Sequence, residues 1–121
     1  MACHEAPSHL VVAIQDGLVD QDMGLGTAVI VEVADHRRNN DGWPALMVGA
    51  LVVAPDMPEG VPAVWATGEH SGPILAVDAA AREYSTWEPA SRDGTRAGNG
   101  KTMFAGYPEA EEARRCLPDF A

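Results

Sequence analysis

Ala45-Leu-Met-Val-Gly-Ala-Leu-Val-Val-Ala54 is the longest apolar stretch of the chain. Its ten residues are about half of what a membrane-spanning helix needs, so the stretch is too short to cross a bilayer. A continuous apolar run of this length is typical of a central β-strand whose two faces are both covered. The stretch therefore predicts a sheet with this strand at its centre.

Further segments are predicted to be strands because they are short, apolar and rich in β-branched or aromatic residues. They are residues 9–15, 27–35, 63–67, 74–78, 82–87 and 101–107. Residues 74–78 and 82–87 would form a hairpin that turns near three alanines, although a helix over residues 77–84 competes with it. Residues 36–42 and the proline-rich residues 55–62 are predicted to be loops.

The last segment is predicted to be a helix over residues 108–117. Pro108 suits the first helical turn, glutamates follow it, and Arg114 and Arg115 lie near the end, which matches the helix dipole. Pro118 is expected to stop the helix. Its apolar face would consist of Ala110, Ala113, Cys116 and Leu117.

Together these segments predict an α+β fold, mainly antiparallel β with about six strands and one short C-terminal helix. The 121 residues form a single compact domain, in which residues 1–8 are expected to be a frayed tail. No basic region followed by a long apolar run begins the chain, which favours a cytoplasmic protein without a signal peptide.

The chain is strongly acidic, with 18 Asp and Glu against 8 Lys and Arg and a formal net charge of -10. Proteins that bind nucleic acids need a basic surface to neutralise phosphates, and this composition argues against one. An anionic membrane surface would repel the chain for the same reason. The charge suits solubility or, more specifically, the binding of a basic partner protein.

Two short motifs fail their structural requirements. Residues 94–102 resemble a phosphate-binding P-loop, but the first glycine lies one position too early and a strand is expected to follow. Cys3, His4 and His9 are weak metal-ligand candidates, because three ligands without a Cys-x-x-Cys pair are too few for a structural zinc site. No cofactor is predicted. Cys3 and Cys116 are most simply free thiols, and a bridge between the two ends of the chain is the alternative.

Candidate binding residues come from aromatic and acidic positions that are expected at turns and strand ends. Exposed aromatic rings among carboxylates would suit a protein interface or a cationic ligand. The candidates are Trp43, Trp65, Glu69, His70, Asp20 and Asp22.

Three functions remain open. The first is a non-enzymatic protein-interaction domain, an inhibitor or adaptor that binds a basic partner, with a homodimer left open. The second is a small-molecule binding module with a tryptophan-lined pocket. The third is a small enzyme that uses His70 or His36 with a carboxylate. The absence of a recognisable catalytic motif favours the first.

Overall fold

A five-stranded antiparallel sheet organises the chain in the computed structural model, which describes residues 3–37, 45–68, 74–87 and 108–120. A short 3-10 turn, Asp35–Arg37, follows the second strand. In chain order the strands and helices are β1 (Cys3–Glu5), α1 (Ser8–Gln15), β2 (Gly24–Glu32), β3 (Leu46–Ala54), β4 (Met57–Thr67), β5 (Leu75–Ala76), α2 (Ala79–Tyr84) and α3 (Pro108–Phe120).

The strands lie in the order β1-β2-β3-β4-β5, and each pairs with its neighbours in antiparallel fashion. β3 lies at the centre, where Met47 is opposite Val31 on one side and Ala66 on the other. The predicted α+β class, antiparallel sheet, C-terminal helix and single compact domain are confirmed. The described residues contain five strands and three α-helices, whereas about six strands and one helix were expected.

β3 is covered on both faces, as its apolar sequence predicts. Met47 belongs to a buried cluster with α3, whereas its neighbour Val48 belongs to a second cluster with α1 and α2. Successive side chains of a strand point to opposite faces, so a strand with a helical layer on each face must be apolar at almost every position. The fold therefore has three layers, with α3 on one face and α1 with α2 on the other.

α3 lies very close to the centre of the sheet because Gly49 has no side chain. A Cβ atom at this position would lie 2.6 Å from the carbonyl oxygen of Ala113. The predicted apolar face of the helix is confirmed, since Ala110, Ala113, Cys116 and Leu117 are buried. The helix continues through Pro118 to Phe120 and does not stop at the proline as expected.

The prediction of a strand over residues 9–15 is wrong, because Ser8–Gln15 form α1. The N–H groups of Leu10 and Val11 both donate to the carbonyl oxygen of Pro7, which starts the helix. Leu10 and Ile14 are buried four residues apart, on the same side of the helix. A short apolar run fits either a strand or a helix, and here packing against the sheet decides for helix.

Residues 1–8 were expected to be a frayed tail, yet Cys3–Glu5 form β1 at the edge of the sheet. His4 is opposite Ile30 of β2 in this pairing, and the N–H of Ala6 donates to the carbonyl oxygen of Ala28. Three residues are too few to show an alternating pattern, so the strand has no clear sequence signal.

The predicted loop over residues 55–62 is also wrong from its third residue onward, because β4 starts at Met57. Val64 directs its N–H and C=O groups away from β3, towards Asp78 and Val77. Pro62, two residues earlier, has the same backbone orientation, so its missing N–H group costs β3 no hydrogen bond. Gly60 adopts a φ of 85° where the register with β3 shifts, a conformation that favours glycine.

The helix that competed with a hairpin near the three alanines is the one that forms. α2 begins after Asp78, whose side chain accepts a hydrogen bond from the N–H of Ala81 and caps the helix. The strand predicted over residues 82–87 is therefore wrong, apart from an isolated bridge between Ser85 and Leu18. The predicted strand over residues 101–107 and the P-loop-like residues 94–102 lie outside the described residues.

None of the helices in the described ranges is long and apolar enough to cross a membrane.

Candidate functional site

The predicted binding residues fall into three groups. Trp43, Glu69 and His70 lie outside the described residues. Asp20 and Asp22 are exposed in the connection between α1 and β2, as a surface role requires. Trp65 lies in the core and is 0% exposed.

Trp65 stabilises the packing of α2 against the sheet. Its indole N–H donates to the hydroxyl of Ser85 over 3.1 Å, and that hydroxyl in turn donates to the carbonyl oxygen of Ala81. Because the ring is buried and its polar atom has a partner, Trp65 belongs to the core and offers no surface for a ligand.

The connection between α1 and β2 is held in place although much of it is exposed. The N–H of Val19 donates to the carbonyl oxygen of Tyr84, and Thr86 donates through its N–H to the carbonyl oxygen of Gly17. Trp87 packs directly on Gly17, where a Cβ atom would lie 2.3 Å from the indole nitrogen. That nitrogen donates to the carbonyl oxygen of Ile14 over 3.2 Å.

Two exposed valines lie in α1 and in this anchored connection. Val12 of α1 is 58% exposed and Val19 is 52% exposed, and they are the large hydrophobic residues with high exposure in the part of the chain that is described. Three exposed aspartates accompany them. We call these five residues the α1 surface: Val12, Asp16, Val19, Asp20 and Asp22.

The α1 surface is acidic and uncompensated. Within the described ranges, none of its three aspartates takes part in an ion pair, and no Lys or Arg occurs among residues 1–36. Asp22 donates its backbone N–H to the Asp20 carboxylate, which fixes a tight turn. Because Gly24 is opposite Val53, the turn containing exposed Asp56 lies at the same end of the sheet and adds further negative charge.

A small open cavity lies between α1 and the beginning of β2. Its volume is about 200 Å³, and Glu5, Val11 and Thr27 are among the residues that line it. Pockets for drug-sized ligands usually enclose about 300–1,000 Å³ and have mainly apolar or aromatic walls. No tryptophan is among the described residues that line this cavity, so they do not form the predicted tryptophan-lined pocket.

The two cysteines are not free thiols. Cys3 of β1 and Cys116 of α3 form a disulfide with a Cα–Cα distance of 6.6 Å. The bond joins residues 113 positions apart, and it ties the edge of the sheet to the helix on its face. The alternative considered from the sequence, a bridge between the two ends of the chain, is therefore the one that forms.

A carboxylate lies beside the disulfide. The Oε2 atom of Glu112 is 3.4 Å from Cys116 Sγ and 3.8 Å from Cys3 Sγ. Its other oxygen, Oε1, accepts a hydrogen bond from Arg115 on the next turn of α3, and this bond raises the pKa of Arg115 above its ordinary value. The Glu112 side chain is only 15% exposed, so the carboxylate is held close to the sulfurs.

The fold brings only one of the three metal-ligand candidates from the sequence, Cys3, close to other potential ligands among the described residues. Cys3 is close to Cys116 and Glu112, whereas neither His4 nor His9 belongs to a cluster of potential ligands in the described parts of the chain. Alternation along β1 directs His4 away from Cys3. The spacing of Glu112 and Cys116, four residues apart on a helix, was a usable sequence signal, but Cys3 could only be added by the fold.

Of the two catalytic candidates, His36 is exposed in the turn Asp35–Arg37, and His70 lies outside the described ranges.

Comparison with models of known protein families, with curated proteins and with solved structures found no match to this chain.

Proposed function

We propose that the chain is a non-enzymatic protein-interaction domain, an inhibitor or adaptor that binds a basic partner protein through the α1 surface. The observation that supports this proposal is the exposure of Val12 and Val19 beside three exposed aspartates. Interfaces combine a small apolar centre, which supplies affinity, with a charged rim, which selects the partner.

The charge of the chain specifies the chemistry of the partner. A formal net charge of -10 attracts a basic protein over long range and accelerates its association at low salt. The α1 surface adds a local feature, because Asp16, Asp20 and Asp22 form no ion pair within the described parts of the chain that a partner would have to displace. The partner is therefore a protein segment rich in Lys or Arg that also carries an apolar side chain for the valines.

Two other observations, the disulfide and the acidity of the α1 surface, bear on the compartment and the oligomeric state. The cytoplasmic location predicted from the sequence stays a prediction, and the disulfide favours an oxidising compartment instead, since such bonds are rare in the cytosol. Two α1 surfaces would repel each other, so the charge favours a different protein over a second copy of this chain.

A capture experiment with extract from the native host tests the proposal. The immobilised wild-type chain is compared with D20N/D22N and with E32Q/E111Q, which removes the same charge at the far end of β2 and on α3. We expect one basic protein to be retained in stoichiometric amount by the wild type and E32Q/E111Q, to be released by salt, and to be lost from D20N/D22N.

Two results would contradict the proposal. Equal loss from both double variants would mean that only the total charge matters. The absence of a stoichiometric partner that depends on Asp20 and Asp22 would remove the α1 surface as a binding site.

A further inference from the structure

We infer that Cys3, Cys116 and Glu112 form a zinc site when the disulfide is reduced. The sulfur atoms and one carboxylate oxygen lie within 4.8 Å of one another, at the junction of β1 and α3. Thiolates with a carboxylate suit Zn²⁺, whereas Ca²⁺ and Mg²⁺ prefer oxygen ligands throughout. This inference is independent of the α1 surface, which lies on the opposite face of the sheet from α3.

The two distances from Glu112 Oε2 to the sulfur atoms match those expected around a tetrahedral zinc ion. Zinc binds sulfur at about 2.3 Å and carboxylate oxygen at about 2.1 Å, which separates the two ligand atoms by about 3.6 Å. The separations of Glu112 Oε2 from the sulfurs, 3.4 Å and 3.8 Å, bracket that value. The two sulfurs need to be about 3.8 Å apart, so each moves by about 1 Å after reduction.

Arg115 orients the carboxylate for this role. It binds Oε1 of Glu112 and leaves Oε2 directed at the sulfurs, as an outer partner does for a carboxylate ligand. Glu111 is not directed at the sulfurs in the same way, because it forms an ion pair with Arg114, which also binds Asp78. Glu111 therefore provides a matched control one residue away on the same helix.

The chemistry is balanced with a dithiol as reductant. Thiol–disulfide exchange breaks the Cys3–Cys116 bond, adds two electrons and two protons to the sulfurs, and leaves the reductant as its own disulfide. Zinc then binds as both thiols lose their protons to solvent, and Glu112 supplies the third ligand. A water molecule takes the fourth position, so the site is of the open type and not a closed structural one. The chain would thus exchange a covalent link for a metal link between β1 and α3, depending on the redox state.

Titration of the full chain with Co²⁺, followed by displacement with Zn²⁺, tests the inference. Cobalt bound to thiolate absorbs strongly, so binding is read directly. We expect the reduced wild type to bind one ion, the oxidised wild type to bind none, and C116S to lose the strong absorption. E112Q should bind at least about tenfold more weakly, whereas E111Q and H4A should match the wild type.

Each contrary outcome overturns the site. Equal affinity of E112Q and E111Q would remove the carboxylate ligand, and loss of binding in H4A would move the metal to the N-terminal segment. Circular dichroism accompanies each titration. If reduction unfolds the chain, zinc must restore the native spectrum for the wild type and E111Q, and failure to do so means that the reduced cysteines form no site.

Discussion

The two faces of the sheet are covered in different ways. On one face, the 13-residue α3 lies so close to Gly49 that a Cβ atom there would overlap the backbone of Ala113. On the other face, α1 has eight residues and α2 has six, and the exposed Val12 belongs to α1. The first face is packed along a whole helix, whereas the second leaves apolar side chains and a small cavity in contact with solvent.

Specific bonds also hold α3 in place on the face of the sheet that it covers, which we call the α3 face. The disulfide connects Cys116 to β1, and Arg114 forms an ion pair with Asp78 at the beginning of α2. The buried Glu109 accepts a hydrogen bond from the N–H of Ala34, just beyond β2. These contacts tie α3 to β1, to the residues after β2 and to the beginning of α2.

Removal of the disulfide on the α3 face should lower the free energy of unfolding by the largest amount. The double variant C3S/C116S is expected to lose about 2–5 kcal/mol, because a cross-link over so long a loop strongly restricts the unfolded chain. Urea unfolding of the oxidised wild type, the reduced wild type and the double variant measures the loss, with a chelator present. The reductant must not change the double variant, and equal midpoints for oxidised and reduced wild type would contradict the prediction.

A methyl group at position 49 should push α3 away from the sheet. G49A is expected to lose about 1–3 kcal/mol, because its Cβ atom would overlap the backbone of Ala113. G26A is the matched control, since its Cβ atom would meet nothing closer than 3.6 Å, and it should stay within about 0.5 kcal/mol of the wild type. Similar losses in both variants would show that α3 does not depend on the close approach.

Replacement of Asp78 should weaken the link between α2 and α3 by a smaller amount. D78A is expected to cost about 1–2 kcal/mol, because it removes the cap of α2. D78N keeps a capping oxygen and loses only the charge facing the half-exposed Arg114, so it should cost less than half as much. Thermal unfolding of both variants measures this, and equal losses would mean that the ion pair outweighs the cap.

The α3 face was largely predictable from the sequence. The apolar run over residues 45–54 gave the central strand, and the period of Ala110, Ala113 and Leu117 gave the buried side of the helix. The helix signal rests on a 3.6-residue period, whereas the strand signal rests on a short run that is apolar throughout, as a strand covered on both faces requires. The disulfide was not predictable with certainty, since it depends on which sheet edge β1 occupies.

The secondary structure predicted for the segments on the opposite face was mostly wrong, for physical reasons. Residues 9–15 and 82–87 are short and apolar or aromatic, so their propensities agree with a strand, and packing on the sheet overrides them. Asp20 and Asp22 were found as candidates from charge alone, whereas the exposure of Val12 and Val19 depends on where α1 ends and how Trp87 holds the following turn. No local pattern carries that information.

The smallest effect on stability is expected from the α1 surface itself. V12S/V19S should unfold within about 0.5 kcal/mol of the wild type, because both side chains are exposed and, at position 12 in α1, serine and valine have similar helix propensities. The buried V48A is the contrast and should lose more than about 1 kcal/mol. If V12S/V19S keeps its stability and fails to retain the partner, the valines belong to the interface. A loss of stability comparable to that of V48A would instead mean that these two valines pack within the fold and do not form a free surface.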